Sequence, residues 1–273
     1  FVQGKKRREI RMSEKATNFQ LKAMSRSTRG KRKREMKILY LLHEAFEQPA
    51  TYLDWARARG YETDQVHVYL KEPIPREISG YDMLIVMGGP QTPDEDREHF
   101  PYYDPKEEIA LIQRFVREKK AVLGACLGAQ LIGQAFGAPY EHSPHREIGA
   151  IPLHLTEEGL KDPLLKAFAD GMNIGSWHGD MPGLTGEARV LAFSEGCPRQ
   201  IIRYSARAYA FQCHPEFTPE AVEALIASER NLEEDSKKYP YVKNASQLRE
   251  DSYGQMNAAL CDFLDAYVAS VTK

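Results

Sequence analysis

Cysteine is scarce in this 273-residue chain: Cys126, Cys197, Cys213 and Cys261 are the only four. Their spacing matches neither a metal-ligand pair nor a disulfide framework. A zinc module and a disulfide-stapled secreted fold are therefore set aside, and a cytoplasmic, reducing compartment is expected. Long apolar runs are missing too. No stretch approaches the roughly eighteen uninterrupted apolar residues of a membrane-spanning helix, and the N-terminal residues lack the apolar core of a secretory signal. No internal repeat is visible.

What is present is ordinary in total and uneven in distribution. Apolar residues make up 42% and charged residues 28%, as in globular proteins generally. The net charge of −2 conceals a split. Residues 1–35 hold 13 Lys/Arg against 3 Asp/Glu, a net of +10, so the remainder carries −12. The basic part includes Lys5-Lys6-Arg7-Arg8 and Lys31-Arg32-Lys33-Arg34. With so few apolar residues it cannot bury a core, and it is expected to be a disordered extension rather than a nucleic-acid or targeting arm. From Met36 an apolar pattern begins abruptly, and a translation start there would give a complete domain, expected to span residues 36–273.

That pattern alternates between strand and helix. Residues 37–42, 66–69, 83–87 and 121–124 read as buried strands, and residues 49–59, 105–119 and 127–136 as helices between or after them. Continuous apolar strands alternating with helices imply an α/β fold with a mostly parallel sheet covered on both faces. Residues 151–155, 190–193, 200–204 and 208–212 read as short strands separated by turns, an antiparallel extension of that sheet. Residues 218–229 and 255–269 read as helices, with a loop-rich stretch over 231–251.

The sharpest local feature is Gly124-Ala125-Cys126-Leu127-Gly128-Ala129-Gln130. A strand ends and a helix begins within two residues, with Cys126 at the corner and glycines two positions away on each side. Such a corner strains the backbone, and the missing Cβ atoms relieve crowding. A helix N-terminus favours a thiolate, and the free amide of Leu127 can donate to an oxyanion. A thiol nucleophile needs a base, and the base an orienting group. His214-Pro215-Glu216 supplies both after a strand, with the carboxylate of Glu216 able to fix the imidazole of His214. Gly88-Gly89-Pro90 also ends a strand. Loops at the carboxyl ends of parallel strands share one crevice, so Gly89 is the expected second oxyanion donor and Gly88 is expected to approach the substrate closely.

Together these pieces resemble the class I (triad-type) glutamine amidotransferases. The nucleophile motif Gly-x-Cys-x-Gly-x-Gln fits residues 124–130, His-Pro-Glu fits 214–216, and the oxyanion motif fits 88–90. Glu147-Ile148-Gly149 and Ser176-Trp177-His178-Gly179-Asp180 look like the stand-alone, GMP-synthase-amidotransferase-like subgroup. The resemblance implies a flavodoxin-like fold and hydrolysis of the glutamine side-chain amide through a Cys126-His214-Glu216 triad and a thioester, with no metal or organic cofactor. It implies that Gln130 helps hold the substrate and that Asp180 receives its α-ammonium group. His178 could be a second base, but since His214 already has its carboxylate, a structural or pocket-wall role is expected for it. The substrate is then glutamine or a γ-glutamyl amide. The sequence shows no ATP-pyrophosphatase signature and no phosphate-binding glycine loop, so a separate synthetase or acceptor protein is the expected recipient of ammonia. Neither a membrane nor a nucleic acid is expected as a partner. A stand-alone γ-glutamyl hydrolase and a non-catalytic module on the same scaffold are the alternatives.

Overall fold

The computed structural model describes residues 36–95 and 97–272; the basic segment 1–35 lies outside them. The strands β1 (Lys37–Leu42), β2 (Glu62–His67), β3 (Met83–Val86), β4 (Ala121–Ala125) and β9 (Ala208–Phe211) form the parallel part of one sheet, in the order β2-β1-β3-β4-β9. Beyond β9 the sheet continues antiparallel through β8 (Ile201–Ser205), β7 (Arg189–Phe193) and the long β5 (Glu141–Leu155). β6 (Met172–Met181) folds back on β5, and the two-residue β10 (Tyr241–Val242) runs parallel to it.

The helices cover both faces, as the apolar strands require. Ile38, Tyr40 and Leu42 of β1 point to the face covered by α1 (Ala50–Ala58) and the closing helix α8 (Gly254–Val271), where Tyr52, Trp55, Leu260 and Phe263 are buried. Leu39 and Leu41 point the other way, onto α2 (Pro105–Arg117) and α3 (Leu127–Ala135), with Leu111, Phe115, Leu131 and Ile132. The period-two alternation of one strand thus feeds two separate cores. α2 starts at the N-cap Asp104, whose carboxylate accepts from the amides of Lys106 and Glu107, with Pro105 in the first turn. Among the described residues no helix is long and apolar enough to cross a membrane.

Four expectations need correction. The second strand is Glu62–His67, and Val68–Leu70 is a 3₁₀ turn. β2 is an edge strand placed by its pairing with every residue of β1, so its polar residues need no apolar pattern. The short strand over 151–155 is the end of β5, fifteen residues long, because the antiparallel partner β6 extends it. β6 itself was not expected: its glycines and Asp180 disfavour a strand, and pairing overrides that preference. Finally, residues 231–251 hold α6 (Leu232–Lys238), β10 and α7 (Ala245–Arg249), the last fixed by a capping box between Asn244 and Gln247. α4 (Glu157–Lys161) and α5 (Pro219–Ser228) complete the elements.

Candidate active site

At the carboxyl end of the parallel strands, Cys126 joins β4 to α3 with φ 51° and ψ −109°. A β-carbon-bearing residue in this region is strained by about 1–3 kcal/mol. Hydrogen bonds on both sides hold it there. Its N–H donates to Phe211 of β9 at 2.8 Å, and its carbonyl accepts from Ala129 and Gln130 of α3 at 2.9 and 3.2 Å. Both flanking glycines permit close approach. A Cβ on Gly124 would fall on the carbonyl of Gly128, and one on Gly128 would lie 2.7 Å from the carbonyl carbon of Val86. The corner therefore requires glycine at both positions.

The thiol is 7% exposed as a residue and opens on a cavity of about 490 Å³ lined also by Glu47, Gly89, Gln130, Trp177, His178 and Asp180. Its Sγ contacts the carbonyl of Trp177 at 3.8 Å and accepts from Nε2 of Gln212 at 3.4 Å. The positive end of the α3 dipole favours negative charge at this position.

His214 and Glu216 meet at 2.7 Å through Nδ1 and Oε1, both side chains buried. The segment bends after Phe211 and turns at Pro215-Glu216, so the pair is closed by a turn instead of an extended strand. Three elements pin that turn. The amide of His214 donates to Gly175 of β6 at 2.7 Å, Thr51 Oγ1 of α1 donates to the carbonyl of Glu216 at 2.9 Å, and Asn257 Nδ2 of α8 donates to Pro215 and Phe217. The Phe217 ring stacks on the imidazole at 4.4 Å between centroids. With Nδ1 engaged, Nε2 of His214 has no hydrogen-bond partner among the described residues. Burial opposes the imidazolium, but Glu216 and the nearby Cys126 outweigh it and raise His214 well above the ordinary histidine value.

Gly88 lies where these pieces converge. A Cβ there would sit 3.3 Å from Cβ of Cys126 and 3.3 Å from Cε1 of His214, and would strike the carboxylate of Glu47. One on Gly89 would sit 3.1 Å from Cδ2 of the Leu127 side chain, so these two residues are packed neighbours. Gln130 is buried at the cavity wall. Its Nε2 donates to Gln212 at 3.2 Å, leaving Oε1 without a partner. Asp180 lies further out on the same wall, half-buried and bonded to His142 Nδ1 at 2.6 Å. His178 is buried, with Nε2 3.3 Å from the buried Glu147.

Several residues at the site escaped the sequence reading. Gln212 links Cys126 to Gln130, and stepping back two residues from His214 would have found it. Glu47 follows β1. Burial lifts its carboxyl to about 7, against the pull of His214 and His43. His43 pairs with Glu108 at 2.7 Å and with the carbonyl of Gly88 at 3.0 Å. Only the rule that loops at strand carboxyl ends converge would have drawn attention to residues 43–47.

The chain has counterparts among known proteins. The family described as "Glutamine amidotransferase class-I" matches residues 51–230. The chain is 46% identical over 230 residues to the glutamine amidotransferase-like protein YfeJ of Salmonella typhimurium, spanning 84% of this chain and 96% of that protein. It is 32% identical over 134 residues to the GMP synthase of Dehalococcoides mccartyi, 49% of this chain but 23% of the synthase. Among solved structures, that of SMU.1228c superposes with a TM-score of 0.84 at 50% identity, covering 85% of this chain and all of that one. A glutamine amidotransferase from Thermotoga maritima shares the fold, with a TM-score of 0.73 at 22% identity over 86% of this chain and 98% of that one. The flavodoxin-like sheet and the extent of these matches lead to one conclusion: the chain belongs to the class I glutamine amidotransferase family.

Proposed function

We propose that the chain hydrolyses the side-chain amide of glutamine, or of a γ-glutamyl compound, with Cys126 as nucleophile. The observation that carries this reading is the pairing at one corner: a thiol at a strained helix N-terminus beside an imidazole whose Nδ1 is fixed by Glu216 and whose Nε2 is free. Glu216 makes His214 basic enough to take the thiol proton. The thiolate attacks the amide carbon, and the carbonyl oxygen takes up negative charge. The amides of Gly89 and Leu127 receive it. As the tetrahedral adduct collapses, the C–N bond breaks and His214 returns its proton to nitrogen, releasing ammonia and leaving a thioester. His214 then takes a proton from water, whose oxygen attacks the thioester. A second collapse releases glutamate and restores the thiol. Gln130 Oε1 is the acceptor for the substrate's N–H groups, and Asp180 supplies negative charge for its α-ammonium.

Residues 36–273 are assigned as the catalytic domain, acting in the cytoplasm, with ammonia passing to a separate acceptor protein. The cavity volume supports the wider γ-glutamyl reading as well. It falls in the range of pockets that hold ligands larger than an amino acid. Turnover of glutamine and of γ-glutamyl peptides, measured as glutamate release, ranks the two substrates. Cys126→Ala is expected to abolish both activities and to block labelling by a diazoketone analogue of glutamine. Labelling of that variant at the wild-type level would overturn the nucleophile assignment.

A further inference from the structure

The oxyanion donor proposed above lies in a run of two glycines. A peptide between two glycines rotates with little steric resistance. Flipping the Gly88–Gly89 peptide would turn its N–H away and its carbonyl toward the thiol. Something outside the run must select one orientation.

His43 is placed to do this. β1 and β3 are parallel neighbours, with Leu41 paired to Val86 and the amide of Met87 bonded to Leu41 at 3.0 Å. The residues following each strand, His43 and Gly88, therefore emerge side by side. Nδ1 of His43 lies 3.0 Å from the carbonyl oxygen of Gly88. A carbonyl only accepts, so Nδ1 carries hydrogen and donates. Nε2 lies 2.7 Å from Oε2 of Glu108, which fixes the ring plane; with an acceptor on each side, the ring carries a hydrogen on both nitrogens. Both side chains are fully buried, and Tyr103 meets the imidazole edge-on at 5.8 Å. In a trans peptide the carbonyl of Gly88 and the N–H of Gly89 point in opposite directions. Tethering the carbonyl to His43 therefore points the N–H away from His43. Gly89 lines the cavity beside Cys126.

We infer that His43, held by Glu108, is a positioning residue that fixes the Gly88–Gly89 peptide and so aims the Gly89 amide at the oxyanion. This rests on the oxyanion role given to Gly89 under the proposed function.

The test compares His43→Leu with His43→Asn, whose Nδ2 can take the place of Nδ1. Each is assayed for kcat and KM with glutamine, and for the rate at which iodoacetamide alkylates Cys126. Alkylation at a saturated carbon develops no oxyanion and reports only the thiolate. Expected for His43→Leu is a fall in kcat of about 10²-fold, on the scale of losing one oxyanion donor, with alkylation unchanged within about twofold. His43→Asn is expected to recover about tenfold of that loss. The inference is overturned if His43→Leu keeps its kcat, if alkylation falls in step with turnover, or if His43→Asn recovers nothing. Should His43→Leu not fold, the double variant His43→Leu/Glu108→Leu leaves no carboxylate buried alone and gives the same readout. Absence of turnover by the wild-type protein toward glutamine and γ-glutamyl peptides alike would sink the functional reading instead. A wild-type turnover that His43→Leu leaves intact would sink only this inference.

Discussion

Two buried histidine–carboxylate pairs flank Gly88, each closed at 2.7 Å, yet their second ring nitrogens are placed differently. In His214–Glu216 one ring nitrogen is bonded and the other is free beside a thiol. In His43–Glu108 both nitrogens are bonded, one to the carboxylate and one to a backbone carbonyl. The contact length does not distinguish them; the fate of the second nitrogen does. A free nitrogen next to a nucleophile can move a proton. An occupied one can only hold its partner in place.

The largest effect that would break this comparison comes from making the same substitution in both. Asparagine keeps a donor at the Nδ1 position and deletes Nε2. His214→Asn is expected to lower glutamine turnover by about 10²–10⁴-fold, the usual contribution of a general acid–base group, while leaving the melting temperature nearly unchanged. His43→Asn, expected about tenfold below wild type, should stay at least about tenfold more active than His214→Asn. Equal activity in the two variants, measured by glutamate release, would mean that the free nitrogen is not what separates the pairs.

The carboxylates sharpen the contrast through stability. Glu108 is fully buried, and Glu108→Ala strips its ring partner inside the core, for an expected loss of about 3–5 kcal/mol in urea unfolding. Glu216→Gln keeps an acceptor for Nδ1–H and is expected to cost under about 1.5 kcal/mol, since one hydrogen bond only loses its charge assistance. Its effect belongs in kcat. A larger stability loss for Glu216→Gln than for Glu108→Ala would reverse the two assignments.

The same contrast explains what the sequence made legible. His214 and Glu216 are two residues apart, and Cys126 sits in a seven-residue glycine-framed motif, so local spacing exposed both. His43 and Glu108 are 65 residues apart and come together only because β1 and β3 pair and α2 packs against them. No local pattern encodes that meeting. The parallel strands were readable for a related reason: buried on both faces, they need continuous apolar runs. β6 was not, because its glycines and polar residues satisfy the site and the β5 pairing at the expense of strand propensity. It delivers the Trp177 carbonyl, His178 and Asp180 to the cavity and the Gly175 carbonyl that holds His214. The His-Gly-Asp run was visible as a motif; its carrier was not. Glu47 belongs to neither a motif nor an element and was invisible for both reasons.

Glu47 also offers the smallest and most specific test, because it lies between the two pairs and feels both histidines. Burial raises its carboxyl to about 7, above the ordinary value of about 4.3 for glutamate. Below pH 4 it is protonated in both folded and unfolded chains and has no effect on the balance. Between about pH 4 and 7 the unfolded chain releases a proton that the folded protein keeps, so the Glu47 contribution to stability falls across this window and levels off above it. Glu47→Gln removes the proton and the penalty. Its gain over wild type should therefore be near zero at pH 4 and reach about 1–2 kcal/mol at pH 8, less than the full shift implies because the carboxyl borders the open cavity. His214 changes stability in the same direction with pH, but in a higher window. Its raised value adds stability that is complete below about pH 6.5 and is lost as pH rises through the folded value. Taking the difference between Glu47→Gln and wild type at each pH leaves the Glu47 share, provided His214 keeps its surroundings. Urea midpoints at pH 4, 6 and 8 measure it. Curves that run parallel across that range would show that Glu47 ionises as freely in the folded protein as in the unfolded chain, and that the two histidines share no common carboxylate.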